Sequence, residues 1–167
     1  MLNDRADANV TTNNYKYDVF LSFRGPDTRS TFTGNLYHAL RQKPIKTFYI
    51  DDIDHKPPKS PEEISPSVLK AIQESRISIV VLSECYGSSR RCMDELVTIL
   101  DCMKNNNQNM VWPIFYRVYP SDIRHQTGFF GMLIDKYLDS SDDQRMRQWK
   151  DALSQVASLA GWCYKIE

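Results

Sequence analysis

Apolar residues occur along this chain either in short unbroken runs or in stripes spaced by three and four residues. The unbroken runs cover residues 17–23, 47–50, 77–82 and 110–116, and their lack of a helical period predicts strands. The run over 77–82 is apolar on both faces, which is typical of a strand covered by helices on both sides. Pro113 indicates an irregular or edge position for the last run, because proline cannot donate to a ladder.

The spaced stripes predict amphipathic helices between these strands. Phe32, Leu36 and Leu40 form the inner stripe of the first helix. The second helix begins at Ser65-Pro66, where a capping hydroxyl precedes proline at the first helical position. The remaining inner positions are Val68, Leu69 and Ile72 in the second helix, Met93, Leu96, Val97, Leu100 and Met103 in the third, and Met146, Trp149, Leu153, Val156 and Ala160 in the last.

Capping and stop signals mark the ends of the later helices. Ser88 or Ser89 caps the third helix, and Gly161 is a natural stop for the last one, which starts near Ser141. A short helix fits within residues 128–138. Strand and helix therefore alternate, which predicts an α/β domain with a doubly wound parallel sheet of four or five strands and helices on both faces. The strand order 2-1-3-4-5 would place the ligand crevice between the first and third strands.

Length and polarity suggest one domain with two irregular segments. A chain of 167 residues is long enough for one substantial core. Residues 1–14 are polar and lack the apolar segment of a secretory signal, so we expect a disordered tail before a domain over 15–164 and a short tail over 165–167. Residues 51–63 form a polar loop that Pro57, Pro58 and Pro61 keep free of regular structure.

Charge and cysteine spacing narrow the function classes. Lysine plus arginine and aspartate plus glutamate both total 21, so no net positive field attracts nucleic acid or anionic lipid. No apolar stretch approaches the length of a membrane span. The four cysteines and three histidines show no metal-ligand spacing, so we expect no metal and no bound cofactor. Reduced thiols without an export signal favour a cytosolic or nuclear setting.

Candidate chemistry lies in two loops that the predicted strand order makes neighbours. Arg24, Gly25 and Arg29 follow the first strand, and Glu95 lies in the helix that follows the third. Two guanidiniums near a helix N-terminus suit a phosphate. A glutamate on a helix flank is usually a solvated surface residue, and Asp94, about 100° around the helix, is expected to face water.

A carboxylate opposite a phosphate site suits cleavage of the bond between nicotinamide and ribose. This cleavage passes through an oxocarbenium-like state, which a carboxylate stabilises. Ordinary glycosidases need a second carboxyl group to protonate the leaving oxygen. Nicotinamide leaves as a neutral base because its ring nitrogen already carries positive charge, so one carboxylate suffices.

The chain also resembles the Toll/interleukin-1 receptor (TIR) domain in the form found in plant immune receptors. The motifs that carry the resemblance are YDVFLSFRG at 17–25, DTR at 27–29, FT and LYHAL within 32–40, TF and DD within 47–52, EEISPSVLKAIQESRISIVVLS at 62–83, YGSS at 86–89, CMDEL at 92–96, PIFY at 113–116, YPSDIRHQTG at 119–128 and GW at 161–162. The number and order of these motifs make chance similarity implausible.

This resemblance implies a flavodoxin-like sheet of five parallel strands. It also implies that the domain hydrolyses NAD⁺ or NADP⁺ as a substrate when copies associate, giving ADP-ribose-type signals in immune cell death. The family's catalytic glutamate matches Glu95, and its nucleotide-contacting arginines match Arg24 and Arg29. Phe23, Gly25 and Arg91 would line the pocket, and the implied partners are NAD⁺, further copies of the domain and other TIR domains.

Four features of the chain depart from the family pattern. Arg91 replaces the tryptophan before the CLDEL cysteine, and Pro26 replaces an acidic residue. The loop over 51–63 has prolines in place of Leu-x-Arg-Gly. Gly34-Asn35 replaces a Ser-His pair that the family uses in one self-association interface. The changes at Arg91, at Pro26 and in the proline-bearing loop favour an alternative function, a TIR adaptor module that associates with other TIR domains and turns over little or no NAD⁺.

Two other proteins of this architecture fit the sequence less well. A receiver domain needs a phosphorylated aspartate after the third strand, where Ser83 and Glu84 stand. A flavin-binding protein needs a phosphate loop rich in hydroxyls and glycines after the first strand, and residues 24–26 do not supply one.

Overall fold

Strands and helices alternate along the folded chain. The computed structural model describes residues 14–49, 64–106, 109–138 and 142–165. Its strands are β1 (Tyr17–Phe23), β2 (Thr47–Phe48), β3 (Ser75–Leu82), β4 (Met110–Tyr116) and β5 (Trp162–Tyr164). Its helices are α1 (Gly25–Thr28), α2 (Phe32–Arg41), α3 (Pro66–Gln73), α4 (Arg90–Asn105), α5 (Pro120–His125), α6 (Gly128–Tyr137) and α7 (Asp143–Val156), with a 3₁₀ turn at Tyr86–Ser88. The predicted tail, except Asn14, and the proline-bearing loop lie outside the described residues.

The five strands form one parallel sheet in the order β2-β1-β3-β4-β5. This confirms the predicted doubly wound fold. In the register of β1 and β3, Phe23 pairs with Val81, so the two strands end side by side. The loops that begin at Arg24 and Ser83 are therefore neighbours at the carboxyl edge, where such sheets bind ligands.

Alternating residues of β1 point to two different cores, because side chains of a strand alternate between faces. Val19, Leu21 and Phe23 belong to a cluster covered by α2. Phe20 belongs to a larger cluster that includes residues of α3, α4 and α7. Ser22 shares the parity of Phe20 and is fully buried, so it brings a hydroxyl to the face of the sheet on which α4 packs.

Helices α3 and α4 begin at the capping residues that the sequence suggests. The Ser65 hydroxyl accepts a hydrogen bond from the Val68 amide at 3.3 Å, and the Ser89 hydroxyl accepts one from the Cys92 amide at 3.3 Å. These caps satisfy amides that have no partner inside their own helix. Among the described helices, none has the length and apolar character needed to cross a bilayer.

Three local predictions need correction. β4 is not an edge strand, because it lies between β3 and β5; β5 pairs only with its last residues, from Ile114 onward. α7 ends at Val156 rather than near Ala160. Gly161 does not cap it: a Cβ there would lie 2.2 Å from the Pro113 carbonyl oxygen, so this glycine allows the chain to pass close to β4. The short helices α1 and α5 had no apolar stripe to predict them.

Candidate active site

Glu95 lies in the second turn of α4 and points into the protein. It is 3% exposed, and its Oε2 accepts a hydrogen bond from the Ser22 hydroxyl of β1 at 2.9 Å. The Ser89 cap fixes where α4 begins, and Met93 and Leu96 on either side of Glu95 are fully buried in the α4 core. The side chain is therefore held against the sheet and does not lie on a solvated helix flank.

Arg91, one helical turn before Glu95, carries the opposite charge to it. Its Nε lies 3.6 Å from Glu95 Oε1, and its side chain is 21% exposed. Burial raises the pKa of the Glu95 carboxyl to about 7, with Asp94 adding to the rise. Arg91 and the Ser22 hydrogen bond act in the opposite direction but do not offset the loss of hydration. A carboxyl group with a pKa near neutral pH can act as a base or as a stabilising anion.

Two further buried groups extend the polar contacts of Glu95. The Tyr86 hydroxyl lies 2.8 Å from the Ser22 hydroxyl and donates to the Cys92 carbonyl oxygen at 3.1 Å. Both Ser22 and Tyr86 are fully buried. A serine in an apolar strand, at the parity of the larger core, is the sequence signal that could have found this contact.

Asp94, which the sequence placed in water, instead joins α4 to α7. Its carboxylate forms an ion pair with Arg145 and accepts a hydrogen bond from Trp149 Nε1 at 2.8 Å. The prediction was wrong because both partners lie more than fifty positions away and appear only when α7 packs on α4. By holding one face of α4, Asp94 helps to direct the neighbouring Glu95 toward β1.

Arg24 and Gly25 lie at the start of α1, directly after β1, and Arg29 follows the last residue of this short helix. A Cβ on Gly25 would be 2.8 Å from Arg29 Nη2, so the absent side chain leaves room for that guanidinium. The Arg29 guanidinium carbon is 5.8 Å from the centre of the Phe23 ring. In the described part of the chain, Arg24 Nε is buried without a hydrogen-bond partner. Neither arginine contacts Glu95 within that part, so the ion pair of Glu95 is with Arg91.

A small cavity lies beside the Glu95 carboxyl. Its volume is about 10 Å³, and it has room for about one water molecule. Its lining among the described residues is Phe20, Leu21, Phe23, Phe48, Val68, Arg91 and Glu95. Three of the residues singled out from sequence, Phe23, Arg91 and Glu95, are therefore brought together, whereas Arg24, Gly25 and Arg29 lie in the adjoining loop.

A second and larger cavity lies where β1, β3 and β4 end, at the edge where the strand order predicted a crevice, but none of the candidate site residues, all of which the structure describes, lines it. Its volume is about 300 Å³. Asp27 forms one wall and ties the two loops together, because its Oδ2 accepts hydrogen bonds from the Ser83 hydroxyl at 2.6 Å and the Cys85 amide at 3.0 Å. Arg117 and Tyr116 form the opposite wall. The hydrogen bonds of Asp27 to Ser83 and Cys85 hold the β1 loop against the β3 loop.

Comparison with known proteins shows which family the chain resembles in sequence. The family model described as TIR domain matches residues 16–166. Disease resistance protein RUN1 of Vitis rotundifolia is 47% identical over 148 residues, which cover 87% of this chain and 11% of that protein. TMV resistance protein N of Nicotiana glutinosa is 43% identical over 157 residues, which cover 92% of this chain and 13% of that protein. The chain thus spans only about a tenth of the length of these relatives.

A solved structure shares both fold and sequence with the chain. It contains the TIR domains of the activated Roq1 resistosome directly recognizing the pathogen effector XopQ. The TM-score is 0.76 at 41% identity, covering 88% of this chain and 87% of the matched one. At this identity the likeness extends beyond the order of strands to most of the sequence.

Proposed function

Since the chain belongs to the TIR-domain family, we propose that it hydrolyses NAD⁺ at the bond between nicotinamide and ribose when copies of the domain associate. The buried carboxyl of Glu95 carries this proposal. It is held in an apolar core, close to one cation and to a cavity at the carboxyl edge of the sheet. In such a setting a carboxylate interacts with a cation far more strongly than it does in water.

Glu95 stabilises the positive charge that develops on the ribose. The bond between C1′ and the nicotinamide nitrogen breaks, and its electron pair goes to that nitrogen, so nicotinamide leaves neutral. The oxygen of a water molecule then bonds to C1′ and releases a proton, giving ADP-ribose. Arg24 and Arg29 hold the diphosphate from the loop after β1, and Phe23 and Gly25 shape the wall of the site.

Arg91 must move before a nucleotide can reach Glu95. Its guanidinium lies 3.6 Å from the carboxylate, and the cavity that both residues line holds only about one water molecule. When Arg91 moves aside, the positive nicotinamide ring takes over its place next to the carboxylate. The resemblance to the assembled Roq1 TIR domains supports association as the event that opens the site.

The test is nicotinamide release by concentrated protein supplied with NAD⁺. Release by the wild-type chain should rise more steeply than protein concentration, and Glu95→Ala should reduce it at least about 100-fold, as loss of a group acting in the transition state does. Glu74→Ala, at a half-buried position just after α3, is the matched control. Unchanged release by Glu95→Ala would rule out the assignment.

A second function is favoured by the contact between Arg91 and Glu95. If that ion pair never opens, the chain is an adaptor that acts only through association with other TIR domains. The Arg91→Trp variant separates the two functions, because tryptophan removes the cation and restores the family residue. A silent wild-type chain that becomes active on this change is an adaptor, whereas a wild-type chain that is already active is an enzyme.

A further inference from the structure

Three buried polar contacts form a single chain that ends on Glu95. The Glu95 Oε2 lies 2.9 Å from the Ser22 hydroxyl, which lies 2.8 Å from the Tyr86 hydroxyl, which lies 3.1 Å from the Cys92 carbonyl oxygen. The three side chains come from β1, the 3₁₀ turn and α4, and each is 3% exposed or less. A buried hydroxyl that makes no hydrogen bond lowers the stability of the folded protein. The number of protons available therefore decides how many of these contacts can be hydrogen bonds.

A count of protons shows that the chain is incomplete when Glu95 is ionised. Each hydroxyl has one proton to donate, so Ser22 and Tyr86 together supply two protons for three contacts. With a carboxylate at Glu95, Ser22 donates to it, and Tyr86 can serve either Ser22 or the Cys92 carbonyl but not both. With a protonated Glu95, its own O–H donates to Ser22, Ser22 donates to Tyr86, and Tyr86 donates to Cys92. All three contacts are then hydrogen bonds.

We propose that Ser22 and Tyr86 form a hydroxyl relay with Glu95 that gains a third hydrogen bond when this carboxyl takes up a proton, and that they are thereby positioning residues for catalysis. The catalytic part rests on the proposed hydrolysis of NAD⁺. As the water oxygen bonds to C1′, one of its O–H bonds breaks and the proton passes to Glu95 Oε2. The two hydroxyls turn to complete the chain, which favours this transfer. Glu95 returns the proton to solvent when the product leaves.

The other groups around Glu95 keep a constant charge while this relay works. Burial raises the pKa of Tyr86 well above its usual value and that of Cys92 to about 12, so both stay protonated near neutral pH. On α4, the guanidinium of Arg91 lies 3.6 Å from Glu95 Oε1, and Asp94 is the preceding residue of the helix. The neighbouring side chains from β2 and α3, Phe48 and Val68, are apolar. Glu95 is therefore the group of this cluster that changes its proton near neutral pH.

The relay predicts pKa changes of different size for its two members. Ser22→Ala removes one hydrogen bond to the ionised carboxylate and two neutral hydrogen bonds from the protonated chain. Because a hydrogen bond to a charged group is about twice as strong as a neutral one, these losses nearly cancel, and the pKa of Glu95 should change little. Tyr86→Phe leaves the Ser22 proton without an acceptor when Glu95 is protonated, so that pKa should fall. One net hydrogen bond corresponds to a change of about half to one pH unit.

The measurement is a pH titration of the glutamate side-chain carboxyl carbons by ¹³C NMR, with Glu95→Gln to assign the signal. Two controls remove similar buried groups elsewhere. Ser75→Ala deletes a buried hydroxyl that donates to the Ala71 carbonyl oxygen, and Tyr37→Phe deletes one that accepts from Arg41. Neither control should move the Glu95 titration. Tyr86→Phe changes a single oxygen, and it alone decides the sign if Ser22→Ala does not fold.

A fall of the Glu95 pKa with Tyr86→Phe that exceeds the change with Ser22→Ala supports the relay, whereas no shift, a rise with Tyr86→Phe or equal shifts in the two variants overturn it. Nicotinamide release then separates the relay from the proposed function. If the fall with Tyr86→Phe is seen but the wild-type chain releases no nicotinamide, the relay stands and the hydrolase proposal fails. If the chain is active, the acid limb of its pH profile should move with each shift, and a profile that stays in place overturns the catalytic part of the relay.

Discussion

Asp94 and Glu95 are adjacent acids on one helix, and the fold treats them differently. Asp94 meets a guanidinium and an indole N–H from α7, which satisfy its charge. Glu95 meets one serine hydroxyl and an arginine at 3.6 Å, in a core that otherwise offers apolar side chains. The first acid joins two helices, whereas the second is held at the cost of its hydration. A rotation of 100° around α4 thus separates Asp94, which has a structural role, from Glu95, the candidate catalytic carboxyl.

The largest expected difference between the two acids is in activity. Glu95→Gln keeps the size of the side chain but not its charge, and we expect a loss of nicotinamide release of at least about 100-fold. Asp94→Asn should leave release per folded molecule within about threefold, because Asp94 acts only by holding α4. Comparable losses in the two variants would show that the distinction is false.

The next effect is on stability. Asp94→Ala leaves the Trp149 N–H without its acceptor and removes the ion pair between α4 and Arg145, so the free energy of unfolding should fall by about 2 kcal/mol. Urea denaturation at pH 7 measures this change. Lys70→Ala is a suitable control, since it breaks a pair at 3.7 Å whose lysine side chain is 70% exposed, and it should change the free energy of unfolding by less than about 0.5 kcal/mol. If Asp94→Ala lowers the free energy of unfolding no more than this control does, the proposed role of Asp94 in joining α4 to α7 would be wrong.

The smallest effect concerns Arg91. This guanidinium lowers the pKa of Glu95, so Arg91→Ala should move the titration of that carboxyl to higher pH. The ¹³C signal of Glu95 reports the change directly. A titration that stays in place would mean that the ion pair at 3.6 Å has no electrostatic weight, and Arg91 would then not need to leave for a cation to bind.

The sequence predicted those parts of the fold whose pattern is local. The unbroken apolar run of β3 and the spaced apolar stripe of α4 can each be recognised from neighbouring residues, and Ser89 caps α4 through a contact three residues away. The alternation of strands and helices predicted a parallel sheet, and the observed order matches 2-1-3-4-5, one of the common doubly wound orders.

Contacts between residues that are distant in sequence could not be predicted from a local pattern. The residues around Asp94 do not indicate its contact with Trp149, and those around Glu95 do not indicate its contact with Ser22, which lies 73 positions earlier. The family resemblance singled out Glu95, but only the packing of α4 on β1 shows that this side chain is buried and what it touches. The roles of Arg24 and Arg29 in binding a nucleotide stay predictions.

The account depends most on Glu95 being an acid that is buried against its preference for water. A folded protein that keeps this carboxyl protonated up to a pH of about 7, while the unfolded chain releases the proton near 4.5, becomes less stable as pH rises through that window. The most direct measurement is the free energy of unfolding in urea for the wild-type chain and for Glu95→Gln, from pH 4.5 to 8. We predict that the free energy of unfolding of Glu95→Gln increases relative to that of the wild type across this range, by up to about 3 kcal/mol at pH 8. A difference between the two free energies of unfolding that stays constant with pH would contradict the account. So would a wild-type chain that becomes more stable relative to the variant as pH rises.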